Sequence, residues 1–456
     1  MIVRMLVIAG VLSAALPAAN VTFNKDVAPI LYRRCVSCHH PNDIAPMSLL
    51  TYKDVRPWAA AIKEAVLSRK MPPWGADPRY GHWSNDARLD DGELKTIVAW
   101  TEGGRLAGNP KDLPAAPKFE TGWKIGKPDV ILSIPERTLS ASGPDEYSYI
   151  TVPTHFTEDK WVIAAELRPG NRQVVHHAHV FVVTDDAKPA AKREPNPAQE
   201  YAQWLKIREG TLQFIRPDAP VIDDGCLIDD NGAFPGSKQN PLGSLISSYL
   251  PGREADVYLE GTARKIAAGA KLNFQIHYHR NGKPETDATG VGLIFAKEPP
   301  EQVARRIDPS NHMFRIPAGD PNHEVTECHT FTQDMYVTSL TPHMHLRGKS
   351  MRMSVTYPDG RPETLLNVPK YDFNWQITYR EAKPVFIPKG TRLRIDARFD
   401  NSANNPLNHD PAKVIRWGAS SEVEMMDGWV EFTDAPLNAK PATLSAKAGN
   451  AGPSGN

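Results

Sequence analysis

From Asp129 onward the chain is written in short alternating segments: "DVILSI", "YSYITV", "KWVIAAEL", "QVVHHAHVFVV", "KLNFQIHYH", "MYVTSL", "SMRMSVTY", "TRLRIDARF" and "VEMMDGWVEF". Successive side chains on a strand point to opposite faces, so each run can bury one face and leave the other wet. The runs are separated by Pro, Gly and Asn turns, which favours stacked antiparallel sheets over a helical bundle or a parallel α/β fold. About 300 residues of this texture suffice for two β-sandwiches.

The preceding section has a helical texture. Asn24 can cap a short helix before Cys35, and Val55, Trp58, Ala59, Ile62 and Val66 recur at helical spacing. Asp90 or Asp91 can cap "GELKTIVAW", whose Leu94, Ile97, Val98 and Thr101 form one face before Gly103-Gly104 ends it. This predicts a small all-α domain. The stretch "NPKDLPAAPKFETGWKIGKP" carries no periodicity and reads as a linker, and the closing "AKPATLSAKAGNAGPSGN" has too little apolar content to order itself.

The first residues combine a basic start at Arg4, an apolar run from Leu6 to Leu16 and small residues before Asn20, which resembles a secretory leader too short for a comfortable span. The retained N-terminal anchor is the alternative. The mature protein is therefore expected to be periplasmic or secreted, without a stable membrane span. Basic and acidic residues balance at 53 each, with no long single-sign run, which gives no support to a nucleic-acid partner.

The four cysteines are Cys35, Cys38, Cys226 and Cys328. The first two stand in "CVSCHH", a C-x-x-C-H pattern. Its mechanical reading is covalent attachment of a c-type haem, with both thiols as thioethers and His39 as the proximal iron ligand. A redox dithiol is the alternative, but no βαβ pattern surrounds it. For the second axial ligand, Met47 and Met71 are candidates. The "KMPPW" context of Met71 before a final helix resembles small class I c-type cytochromes and favours Met71, and thioether ligation suits electron relay. Cys226 and Cys328 are left in a compartment that tolerates disulfides, so a bridge between them is expected.

Of fifteen histidines, three groups fall on expected strands: His176/His177/His179, His277/His279 and His343/His345. H-x-H on a strand sets two imidazoles on one face, a chelating pair for zinc, copper, nickel or iron. Ideal alternation by itself therefore selects His177 with His179, leaving His176 on the other side.

"TPHMHLRGKSM", followed by "SSEVEMMDGW", resembles the second copper domain of the copper type II, ascorbate-dependent monooxygenases, the peptidylglycine α-hydroxylating and dopamine β-monooxygenase family. "QVVHHAHVFVV" is similar to that family's His-His strand, and "KLNFQIHYH" to its Leu-x-Leu-Gln-Val-His-Tyr strand. The resemblance spans roughly residues 130 to 435. It implies an oxygen-reacting copper at His343, His345 and Met425, with Met426 as the adjacent alternative, and an electron-delivering copper at His176, His177 and His277. His179 and His279 become supporting residues. Three imidazoles serve both copper oxidation states, whereas two imidazoles and a thioether favour copper(I).

The implied organisation is a leader at 1–19, a cytochrome c-like haem domain at 20–110, a linker at 111–128, a first copper sandwich at 129–305, a second at 306–436 and a disordered tail at 437–456. The implied fold class is thus a small all-α cytochrome c domain followed by two antiparallel, jelly-roll-like β-sandwich copper domains. The implied activity is hydroxylation of a C–H bond of a small organic substrate with dioxygen, using two copper ions and one haem supplied by an external electron donor. Family members acting on peptides carry an arginine where this chain has Thr341, and an asparagine and a tyrosine where it has Asp427 and Trp429. A substrate carboxylate then lacks its clamp, so an apolar, aromatic or amine-bearing substrate is expected, with Asp427 a possible partner for a cation. A non-catalytic haem/copper electron carrier and a zinc hydrolase on three histidines are the competing readings.

Overall fold

The β-branched and aromatic runs form strands because their alternate side chains fill shared cores. The computed structural model describes residues 21–434 except 42–44, 120–121, 144, 184–243, 251–254, 312–313 and 419. The expected leader and tail, and Cys226, lie outside the described residues.

The described chain divides into two compact units, residues 1–72 with 87–117 and residues 73–86 with 118–456. In the first, Ala28–Arg34, Tyr52–Val55, Ala59–Leu67 and Asp91–Glu102 are α-helices. Asp90 caps the last of them: its side chain accepts from Glu93 N at 2.7 Å while Glu93 reaches back to Asp90 N at 3.0 Å. Asn24 does not cap. It lies inside a short π-turn, Phe23–Val27, that follows Thr22. Ile30, Val66, Leu89 and Ile97 close a small core.

The second unit holds two larger cores. Around one, strands Glu146–Pro153, Lys271–Tyr278, Val175–Val183 and Ser244–Tyr249 make a four-stranded sheet in that order. A six-stranded sheet centred on Lys160–Arg168 and Gly290–Phe295 supplies the facing side chains, so that Val162 and Leu293 share a core with Phe274 and Val180. Around the other core stand two four-stranded sheets. One runs Arg305–Ile307, Met426–Thr433, Met335–Met344, Tyr379–Ile387; the other runs His323–Thr330, Arg392–Phe399, Gly348–Thr356, Pro362–Val368. Met344, Met353, Ile395 and Met426 are fully buried there.

The structure corrects the expected fold class of an all-α cytochrome c domain followed by two β-sandwich copper domains. The described chain is mostly β, its α-helices run only seven, four, nine and twelve residues, and residues 73–86 leave the middle of the expected haem domain for the β unit. The reason is apolar burial. Trp74 and Trp83 pack on Tyr379 with ring centroids 4.9 and 5.4 Å away, and Trp83 bridges Glu381. Asp77 N also donates to the Asn367 carbonyl at 2.8 Å.

The β part is one unit because its halves are tied together. Arg264 reaches across to Glu431 at 2.8 Å, and Arg380 donates to the Ala255 carbonyl at 3.1 Å. The pairing is also not purely antiparallel, since Gln302–Val303 runs parallel to Thr262–Ile266. Among the described residues no helix is long and apolar enough to cross a membrane.

Candidate metal centres

The strand Val175–Val183 pairs with Lys271–Tyr278 in a register that slips between Val175 and His177, so that His177 stands opposite His277 and His176 is the extra residue of a bulge. A bulge breaks strict alternation and re-aims one side chain. His176 and His177 therefore turn toward the same point, which ideal alternation forbids. Their Nδ1 atoms lie 3.4 Å apart, and each is 3.3 Å from Nδ1 of His277. The centre of a triangle with those sides is about 1.9 Å from each nitrogen, against a metal–imidazole bond of about 2.0 Å. Three nitrogens converging at these distances fit a metal ion.

All three rings are held neutral. Burial depresses His176 and His177, and burial followed by His176 brings His277 down to about 4. With Nδ1 at the centre, His277 Nε2–H donates to Asp145 Oδ2 at 2.8 Å, and His279 Nδ1 meets the other oxygen of Asp145 at 2.9 Å. Tyr147 stacks on His277 with centroids 4.2 Å apart and planes within 9°. His179 shares the face of His177, their rings 5.5 Å apart, but its Nδ1 is taken by Ser248 Oγ at 2.8 Å. It stands outside the triangle.

The second set follows regular alternation. Thr341 and His343 share one face of strand Met335–Met344, whose last residue enters the core, and His345 follows directly after the strand. His343 Nδ1 bonds Gln376 Oε1 at 2.7 Å and His345 Nδ1 bonds the Val423 carbonyl at 3.1 Å, so Nε2 of each ring is the nitrogen left for a metal. Burial holds these rings neutral, at about 4 for His343 and about 3 for His345.

Met426 is fully buried in the apolar core, whereas Met425 lines the same small cavity as His343 and His345. The thioether candidate is therefore Met425. Glu424, fully buried, accepts from His345 N at 2.8 Å and Arg347 N at 2.6 Å, and desolvation lifts its carboxyl to about 8. One residue thus fixes the end of the H-x-H strand and the start of the methionine segment.

A cavity of about 40 Å³ is lined by His177 of the first set and by His343, His345 and Met425 of the second, with Tyr147 and Phe373 among others. Phe373 stands between the two sets, its ring 6.2 Å from His176 and 6.1 Å from His345. Tyr147 OH reaches Ser421 Oγ at 3.1 Å, in the turn before Met425. Asp427 does not line the cavity and is hydrogen-bonded to Ser310 Oγ. Trp429 lies flat on His343, centroids 4.9 Å apart, and Arg306 stands over the Trp429 ring at 4.1 Å.

In the first unit, helix Ala28–Arg34 ends at Cys35, and the N–H groups of Cys38 and His39 both turn back to the Cys35 carbonyl at 3.2 and 3.0 Å. This places both thiols and the imidazole on one tight turn. Neither Cys35 nor Cys38 is in a disulfide, and burial pushes the Cys35 thiol up to about 12, the reverse of what a reactive dithiol requires. His39 Nδ1 bonds the Met47 carbonyl at 3.2 Å, leaving Nε2 as the nitrogen suited to iron. Met47 thereby stands on the His39 side. Met71 follows helix Ala59–Leu67, with its N–H on the Ala65 carbonyl at 3.1 Å. Cys328 is disulfide-bonded, and its expected partner Cys226 lies outside the described residues.

The sequence alone did not point to Asp145, Gln376, Phe373 or Tyr147. Glu424 had a signal, since it precedes Met425 in the "EM" pair.

No family model matches the chain, and no curated protein matches it. Solved structures with some likeness are viral capsid proteins. The major capsid protein P2 of bacteriophage PM2 is 9% identical with a TM-score of 0.24, covering 68% of this chain and 99% of that one. The mavirus major capsid protein is 10% identical with a TM-score of 0.16, covering 71% and 90%. At these scores the likeness constrains neither fold nor function.

Proposed function

We propose that the chain is an exported dicopper monooxygenase that hydroxylates a C–H bond of a small organic substrate with dioxygen. The observation that carries this reading is the pairing of two different donor sets, three imidazole Nδ1 atoms converging on one point and an H-x-H pair with Met425, with His177 of the first set lining the same small cavity as the second. Copper, when bound, would supply the one-electron oxygen chemistry that side chains cannot perform, and haem at Cys35, Cys38 and His39 would relay electrons from an external donor.

The chain's own residues hold and orient. Asp145, Gln376 and the Val423 carbonyl fix ring planes and choose the ligating nitrogen. Glu424 anchors His345 and, through its neighbour, Met425. Phe373 stands between the sets. No carboxylate, lysine or arginine stands among the described residues of the cavity wall, so an uncharged substrate is favoured over an amine or a carboxylate. The binding of Asp427 to Ser310 withdraws the one carboxylate that sequence offered to a cation.

A second reading, a non-catalytic haem/copper electron carrier, is favoured by cavity size. About 40 Å³ holds water or a diatomic gas and no organic molecule unless Phe373 moves. Two measurements separate them. Metal analysis of haem-matured protein is expected to give two coppers and one iron per chain. Isotopically labelled dioxygen, offered with a panel of uncharged substrates, is expected to leave label in product; two coppers without labelled product would favour the carrier.

A further inference from the structure

We propose, resting on the copper reading above, that Asp145 is a positioning residue that biases the three-histidine set toward copper(II) relative to the second set, and so fixes the direction in which electrons move between them. The basis is an asymmetry in what the non-ligating ring nitrogens meet. In the first set His277 Nε2–H donates to the Asp145 carboxylate at 2.8 Å. In the second, His343 donates to the neutral amide oxygen of Gln376 at 2.7 Å and His345 to the Val423 carbonyl at 3.1 Å.

An anionic acceptor draws the Nε2 proton more strongly than a neutral one, which makes Nδ1 a better electron donor. The higher metal charge gains more from that donation, so copper(II) is stabilised more than copper(I). Met425 acts in the opposite sense at the second set, since a thioether favours copper(I). The first site is thereby the electron donor and the second the acceptor.

Asp145 is itself held in place. Its other oxygen takes His279 Nδ1–H at 2.9 Å, and its side chain remains 46% exposed. The contact to His277, which is 3% exposed, is the one that transmits the carboxylate charge inward. His279, expected from sequence to be a supporting residue, therefore acts one step further out than His277, by orienting Asp145.

The test measures copper(II) and copper(I) affinities separately, using competing chelators, in a His343→Ala background that isolates the first set. Asp145→Asn is expected to lower copper(II) affinity about 10- to 100-fold while copper(I) affinity falls much less. Each tenfold difference between the two corresponds to a 59 mV rise in potential. Asp145→Glu is expected to restore most of the difference. His279→Ala, which leaves the carboxylate present, is expected to shift the ratio in the same direction by less, and it serves if the Asn variant does not fold.

Equal losses in both oxidation states, or no change, would overturn the proposal. A normal response to Asp145→Asn in a protein that yields no labelled product would leave it intact while removing the monooxygenase reading. Failure to bind a second copper at all would remove both.

Discussion

In the first histidine set Nδ1 atoms converge on one point; in the second, Nδ1 atoms are tied to Gln376 and Val423 and Nε2 is left. The first depends on a bulge at His176, the second on plain strand alternation. The same side chain thus serves two sites through different nitrogens, and the neighbour on the far side of the ring makes the choice. An irregular strand brings adjacent histidines together, whereas a regular strand needs the intervening residue, here Met344, to be apolar and buried.

The largest expected effect breaks the first set alone. His176→Ala removes one of three converging nitrogens and is expected to cost that site its copper while the His343/His345/Met425 set keeps its own. Full copper retention at both would show that the bulge does not build a ligand. Conversely, Met425→Ile is expected to abolish oxygen-dependent product while the three-histidine copper and the haem remain. Normal turnover in that variant would sink the assignment of the second set.

Glu424 sharpens the comparison, because only the second set depends on it. Glu424→Ala leaves two buried N–H groups without acceptors and is expected to destabilise the metal-free protein by roughly 2–6 kcal/mol, seen in denaturant unfolding. Glu424→Gln supplies one acceptor and is expected to recover about half. Copper affinity at the first set is expected to change little in either variant.

The pH dependence of metal-free stability has two limbs. The depressed histidines, His277 and His343 at about 4 and His345 at about 3, contribute stability that is present above their unfolded value of about 6.5 and is lost as pH falls through 4. Glu424, Glu327 and Glu381, raised to about 8 by burial, contribute stability present below about 4.5 and lost as pH rises through 8. Stability is therefore expected to peak between the limbs. Glu424→Gln is expected to flatten the alkaline one, and an unchanged slope there would show that Glu424 is ionised in the native state.

The smallest copper effect is expected from His179→Ala. That ring is bonded to Ser248 and stands beside the triangle, so both coppers are expected to stay.

Much of this was legible from residue spacing. The H-x-H pair at His343 and His345 follows from alternation, and the strand runs around them lie where the apolar pattern places them. The partnership of His176 with His177 was not legible from geometry, because a bulge depends on how the neighbouring strand is paired and not on the strand's own sequence. The choice of Met425 over Met426 needed to know which face is core. Asp145 and Gln376 were hidden because they approach from 132 and 33 positions away along the chain.

By itself the sequence determined the local periods: where strands run, where helix Asp91–Glu102 is capped, and which positions carry imidazoles, thiols and thioethers. Local period follows from side-chain alternation and backbone propensity, both short-range. Tertiary structure alone decided that residues 73–86 join the β unit, that His177 shares a cavity with His343 and His345, and which ring nitrogen each histidine presents. Those outcomes rest on burial of Trp74 and Trp83 and on hydrogen-bond partners drawn from other strands, and such long-range contacts exist only once the sheets have packed.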